Sequence, residues 1–219
     1  MSYGNFKSVS EVARKFNIEV VDNSFVAQKE IKVAENYFSD LKKRLGTSIN
    51  FINEFTICET IIRPILDIVA ADYDNLDIWS HVSYNVDVEK GLIGEPDYLI
   101  APRTKYGDME RPAICIIEAK QEKFDDGWAQ ALAEMVASSL QGADVCYSTV
   151  TTGKAWEFGY LKAGTFTKHP IQISAASDLQ KVFDILNWLF YQTSIAYYDQ
   201  VPNLTNLAFH QTEGESNGI

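Results

Sequence analysis

Positive charge is in short supply in this chain: across 219 residues, 19 Lys and Arg face 30 Asp and Glu, a formal net charge of −11. Broad, unspecific binding to DNA rests on a positive surface, so the balance argues against it. Only a local patch or bound cations can reverse the field at one cleft. Cysteine is scarce too. Cys58, Cys115 and Cys146 are odd in number, sit in apolar stretches and form no C-x-x-C pair. A zinc knuckle is thereby unsupported, and the three read as reduced core thiols of a cytoplasmic protein. His81, His169 and His210 are scattered, without the spacing of a metal-ligand set or a catalytic triad. No G-x-S-x-G or G-x-G-x-x-G occurs, and Thr151-Thr152-Gly153-Lys154 lacks the flanking residues of a P-loop. No apolar run approaches membrane-spanning length and the amino terminus is polar, so neither a membrane partner nor an export signal is expected. The absence of internal repeats and low-complexity linkers favours one domain.

What is present begins with a hydrophobic content of 46%, enough for a real core. The most informative stretch is Ile114-Cys115-Ile116-Ile117-Glu118-Ala119-Lys120. Four consecutive apolar residues ended by an acid and a base predict a strand buried on both faces. Strand alternation puts Glu118 and Lys120 on the same face at its carboxyl end. Burying those charges is costly unless they are paired or bind something. Upstream, Pro96–Ile100 reads as a second short strand with Asp97 at its start. Residues 102–112 are charged and contain Gly107, the mark of a hairpin loop. Arg103, Lys105 and Arg111 in that loop are either phosphate contacts or a solvated tip. Pro-Asp followed by Glu-x-Lys is a simple metal-phosphodiesterase constellation. Two carboxylates hold a hard cation through oxygen, and the lysine polarises the attacking water or meets the charge that builds on the phosphorus oxygens.

Gly94-Glu95-Pro96-Asp97-Tyr98 followed by Ile117-Glu118-Ala119-Lys120 resembles the PD-(D/E)XK nuclease superfamily, over roughly positions 50 to 160. Asn53-Glu54 near a helix start, running on to Pro64, resembles in particular the amino-terminal nuclease domain of type I restriction motor subunits and their stand-alone relatives. The resemblance implies a restriction-endonuclease-like α/β fold, a mixed central sheet flanked by helices. It further implies Mg²⁺, with Mn²⁺ as substitute, held by Asp97, Glu118 and the backbone carbonyl of Ala119. Lys120 would orient water, Glu54 would act as helper acid, and Gln130 would line the site. The implied partner is nucleic acid, DNA rather than RNA, with a homodimer suited to cutting both strands of a duplex. By residue chemistry alone, Glu54 and Glu59 compete: five apart, they lie about 140° around a helix and do not share a face. The resemblance favours Glu54. The net charge keeps a second reading open, a non-catalytic binding or scaffold module of the same fold.

The remaining chain is expected to divide into an N-terminal helical extension over 1–46, an α/β domain over 47–199 and a polar tail over 200–219. Ser8-Val9-Ser10-Glu11 reads as a capping box for a first helix, followed by an apolar Ile18–Val21 stretch. A second helix is expected from Phe25 to Arg44, and a third from Ser48 onward with Phe55 on its apolar stripe and Pro64 kinking or restarting it. Residues 78–87 read as a strand. The spacing predicts a helix over 128–140 with its apolar face on the sheet, and Gln130 and Glu134 on another, polar face. Two strands flank Thr151–Lys154, a third covers 165–173, and Ser177 caps a long final helix.

Overall fold

The computed structural model of the chain describes residues 2–113 and 115–200; the expected polar tail and His210 lie outside them. The Ser8 cap forms, while its reciprocal partner Glu11 reaches one residue past the N-cap, to Lys7. The Ser8 hydroxyl accepts the Glu11 N–H at 3.2 Å, the Glu11 carboxylate accepts the Lys7 N–H at 2.8 Å, and α1 runs over Val9–Phe16. Next come β1, Glu19–Asp22, and α2, Glu35–Leu45. Asn53 then caps α3, Glu54–Ile57, by accepting the Thr56 N–H at 2.8 Å. A single π-helical turn, Cys58–Ile62, leads into α4, Arg63–Ala70. That turn accommodates Pro64. Proline has no N–H to give the Thr60 carbonyl, and the Arg44 guanidinium donates to that oxygen instead at 3.1 Å. The shifted helical phase leaves Phe55 60% exposed rather than on the buried stripe.

The strands β2, Asp77–Ser80, β3, Tyr98–Ala101, and β4, Cys115–Ala119, follow. Then come α5, Phe124–Leu140, β5, Val145–Thr151, and β6, Ala155–Lys162. The chain continues through β7, Thr165–Lys168, and β8, Ile173–Ser174, to α6, Leu179–Gln200. β2 is shorter than its expected range because His81 turns into the left-handed region, φ 49°. The strand expected over 165–173 is split around Pro170. The cap of α6 is Asp178, which accepts the Lys181 N–H at 3.1 Å, and not Ser177.

Together these strands make one mixed, open sheet in the order β1-β7-β6-β5-β4-β3-β2, with β8 paired to β6. β4 and β5 run parallel and α5 is their crossover, while β3 and β4 pair antiparallel with Tyr98 opposite Ile117. Helices cover both faces. Cys115, Ile117 and Ala119 of β4 lie in the core shared with α4 and α6, and Ile116 in the core shared with α5 and α1. A strand buried on both sides has no polar alternation, which is why β4 reads as an unbroken apolar run.

The helix expected over Phe25–Arg44 is reduced to α2. Its first part, residues 25–34, is irregular, because α6 supplies hydrogen bonds that a helix would have made internally. Asn187 donates to the Lys29 and Glu30 carbonyls, Gln180 donates to the Ile31 carbonyl, and Asp184 accepts the Ile31 N–H. The N-terminal region contributes directly to the sheet and the core. β1 pairs in register with β7, and Tyr3 and Phe6 are buried against α5 and its surroundings. Asn187 is itself 1% exposed and accepts the Tyr73 hydroxyl at 2.6 Å. Asn187→Ala is expected to cost about 1–3 kcal/mol by orphaning these groups. Urea unfolding, with limited proteolysis of 23–34, measures it; an unchanged midpoint would show that the bridge carries no stability.

Candidate active site

The end of β4, the start of β3, the first turn of α3 and the middle of α5 meet at one point. The β3–β4 register sets Asp97 beside Glu118, and backbone groups lock the two together. The Ala119 N–H donates to Asp97 Oδ2 at 2.8 Å and the Asp97 N–H reaches Glu118 Oε1 at 3.4 Å. The Lys120 N–H donates to the Thr151 carbonyl at 2.8 Å, fixing the chain just past β4. Its Nζ lies 3.4 Å from Glu118 Oε2 and 3.9 Å from Glu54 Oε2. Glu118 and Lys120 therefore share a face, as alternation requires. Glu54 also accepts the Gln121 N–H at 3.3 Å, while the Gln121 amide donates to the Phe51 and Ile52 carbonyls, tying the post-β4 loop to the start of α3.

Of the two competing acids, Glu54 faces Lys120. Glu59 instead lines a separate cavity of about 460 Å³ with Phe55, Cys58 and His81. A cavity of about 320 Å³ opens beside Glu54, Lys120 and Gln121. Gln130 reaches the acids only through Glu134, to which its amide donates at 3.2 Å. Ala119, next to Glu118 in β4 and bonded to Asp97 through its N–H, is fully buried. Arg103 pairs with Asp77 at 2.9 Å, a structural tie across the hairpin.

Glu134 is the residue that sequence reasoning missed. It was expected on an exposed polar face, yet it is fully buried and its carboxyl contacts that of Glu118. Its Oε2 accepts no hydrogen bond from any donor among the described residues. α5 is covered outside as well as inside, by α1 and by the segment at Tyr3. The readable signal was that Glu134 is the sole charged residue between Gly127 and Leu140, on a helix whose Ala129, Ala133 and Ala137 invite close contact.

The electrostatics follow from one ammonium facing four carboxyls, Glu54, Asp97, Glu118 and Glu134. Burial, with Glu134 and Asp97 adding repulsion, pushes Glu118 well above the usual carboxylate range. Burial likewise pushes Glu134 up to about 8, against the hydrogen bonds from Glu118 and Gln130. Asp97 is raised by burial, opposed by the Ala119 N–H and by Lys120. Burial works to neutralise Lys120, but Glu118, Glu54 and Asp97 outweigh it and hold the ammonium protonated. A crowded set of oxygen donors with excess negative charge and an orphaned carboxylate oxygen fits a hard divalent cation. Asp97 and Glu118 would be its side-chain ligands, and Glu134 stands directly behind Glu118.

Gly127 makes this packing possible. A Cβ there would lie 2.6 Å from Val150 Cγ1 and 2.9 Å from Lys120 Cγ, so the lysine stem passes beneath α5 only because the side chain is missing. Compared with known proteins, the chain matches no family model and no curated protein.

Two outcomes are expected. Gly127→Ala, which at an open helical position would stabilise, should here destabilise by about 1–3 kcal/mol and displace Lys120; thermal melting reads the sign. In metal-free solution the folded chain keeps a proton on Glu134 that the unfolded chain releases, so stability should fall as pH rises from about 4.5 to about 8. Glu134→Gln keeps an oxygen for Gln130 and offers N–H to Glu118. It should melt higher than the parent at pH 8, on the order of 1–3 kcal/mol, and near it at pH 5. A parent of equal stability at pH 8 would mean the two carboxyls do not repel.

Proposed function

We propose that this chain is a Mg²⁺-dependent nuclease of the PD-(D/E)XK type, hydrolysing phosphodiester bonds in nucleic acid on a restriction-endonuclease-like fold. The observation that carries the reading is the placement of Lys120 Nζ between Glu118 and Glu54, 3.4 and 3.9 Å away, with Asp97 locked beside Glu118. The β2–β3–β4–α5–β5 arrangement, preceded by the helix that begins at Glu54, supports it. DNA is favoured over RNA on the sequence resemblance.

Asp97, Glu118 and the Ala119 carbonyl would hold the cation. When bound, it supplies an acidified water and shields the charge of the scissile phosphate. Lys120 stays protonated among its acids, so it acts as a donor to a phosphorus oxygen or to the attacking water and not as a base. Glu54, half exposed at the mouth, holds Lys120 and Gln121 in position. Gln130 orients Glu134, which backs Glu118. Cutting both strands of a duplex would use two copies, so a homodimer is the expected assembly on double-stranded DNA.

The net charge of −11 and the complete burial of Glu118 favour a second reading, a non-catalytic module of the same fold. The two part at one experiment. Cleavage of single- and double-stranded DNA and of RNA is followed with Mg²⁺ or Mn²⁺ for the parent, Lys120→Ala and Asp97→Ala, with circular dichroism confirming folding. The nuclease reading expects turnover that falls at least about 10²-fold in each variant. Wild-type rates in Lys120→Ala would overturn the role of the lysine, and no turnover by the parent on any substrate would leave the binding module.

A further inference from the structure

Asp97 has a second set of neighbours that the nuclease chemistry does not use. Cys58, His81 and Asp97 each present a ligand-type atom, and the three atoms lie within 4.8 Å of one another. His81 Nδ1 stands 3.7 Å from Asp97 Oδ1. Both partners of Asp97 arrive on unusual backbone. Cys58 opens the π-helical turn, and His81 is a non-glycine residue in the left-handed region, its N–H bonded to the Asp97 carbonyl at 3.1 Å. Such conformations cluster where a side chain is held for a purpose. The cluster borders the cavity of about 460 Å³ that also holds Glu59 and Tyr98, which leaves solvent a route to it.

We propose that Cys58, His81 and Asp97 bind a Zn²⁺-class divalent cation, with Asp97 shared between this site and the hard-cation site at Glu118. Thiolate and imidazole are ligands that Zn²⁺ takes and Mg²⁺ does not. Three protein ligands leave the fourth tetrahedral position to water. Ligand atoms around tetrahedral zinc stand roughly 3.3–3.6 Å apart, so the His81–Asp97 pair, at 3.7 Å, and the Cys58 sulfur would draw in slightly on binding. Binding replaces the Cys58 S–H proton, released to solvent, with a sulfur–metal bond. Among the described residues, Cys115 and Cys146, also buried, have no such histidine and carboxylate beside them. Occupation here competes for Asp97, so zinc should oppose rather than support Mg²⁺ chemistry.

The test uses Co²⁺ as a spectroscopic substitute on the full chain, and it reads the thiolate whether or not the protein cleaves anything. The expected result is one Co²⁺ per chain with a thiolate-to-cobalt charge-transfer band that Zn²⁺ displaces. Cys58→Ser should abolish the band, and His81→Asn, which tolerates the left-handed backbone, should weaken Co²⁺ binding at least tenfold, both variants melting as folded proteins. No charge-transfer band in the parent, or a band that survives Cys58→Ser, would overturn the site. Should Cys58→Ser not fold, undiminished Co²⁺ affinity in His81→Asn would do the same.

Discussion

Everything near the site depends on the burial of Glu118. A carboxyl at the carboxyl end of a strand covered on both faces cannot be hydrated, so its surroundings must answer its charge. Lys120 answers part of it from two residues along the same face, and Gly127 exists as glycine so that the lysine stem can pass beneath α5. Glu134 adds charge of the wrong sign at the same place. A protein optimised only for stability would not set two carboxyls against each other in its core. The arrangement makes sense if the pair holds protons when metal-free and yields them to a cation when one is present. The surplus of carboxyls is then a property of the site and not a defect of the core.

This also answers the objection from overall charge. A chain at −11 repels polyanions at long range, but that repulsion is screened beyond a Debye length of about 8–10 Å. At contact, the cluster's own ionisation decides. Three of its acids have raised affinities for protons, so the site is less negative than its formula, and any bound cation reverses the local field further. On the proposed function, the negative surface would select against loose, sequence-independent attachment while leaving a metal-loaded cleft able to meet a phosphate.

How much of this was legible in the sequence varied with where each residue finds its partners. β4 and the facing of Glu118 and Lys120 were readable because strand alternation is local and exact in period. The pairing of Asp97 with Glu118 was readable because the two strands follow one another in the chain through a single loop. The helix over 25–34 was overestimated because its hydrogen bonds go to Asn187, Gln180 and Asp184, far along the chain. Glu134 was missed for a related reason. Its spacing from Gln130 is that of a solvated stripe, and only the packing of α1 and Tyr3 over α5 turns that stripe inward. Cys58 and His81 carried no spacing signal at all, since a π-turn and a left-handed histidine bring them together.

On the two proposals, Asp97 is the residue on which both cation sites would meet. Its Oδ2 is held by the Ala119 N–H on the side of Glu118, and its Oδ1 faces His81. A carboxylate whose two oxygens are turned to different neighbours can bridge two cations or be drawn toward one at the expense of the other. The ligand types on its two sides differ in kind, oxygen and ammonium on one, sulfur and imidazole on the other, so the two proposed sites would discriminate between cations by softness rather than by size. If both proposed sites take cations, an acid placed at the start of β3 would couple their occupancy through one side chain.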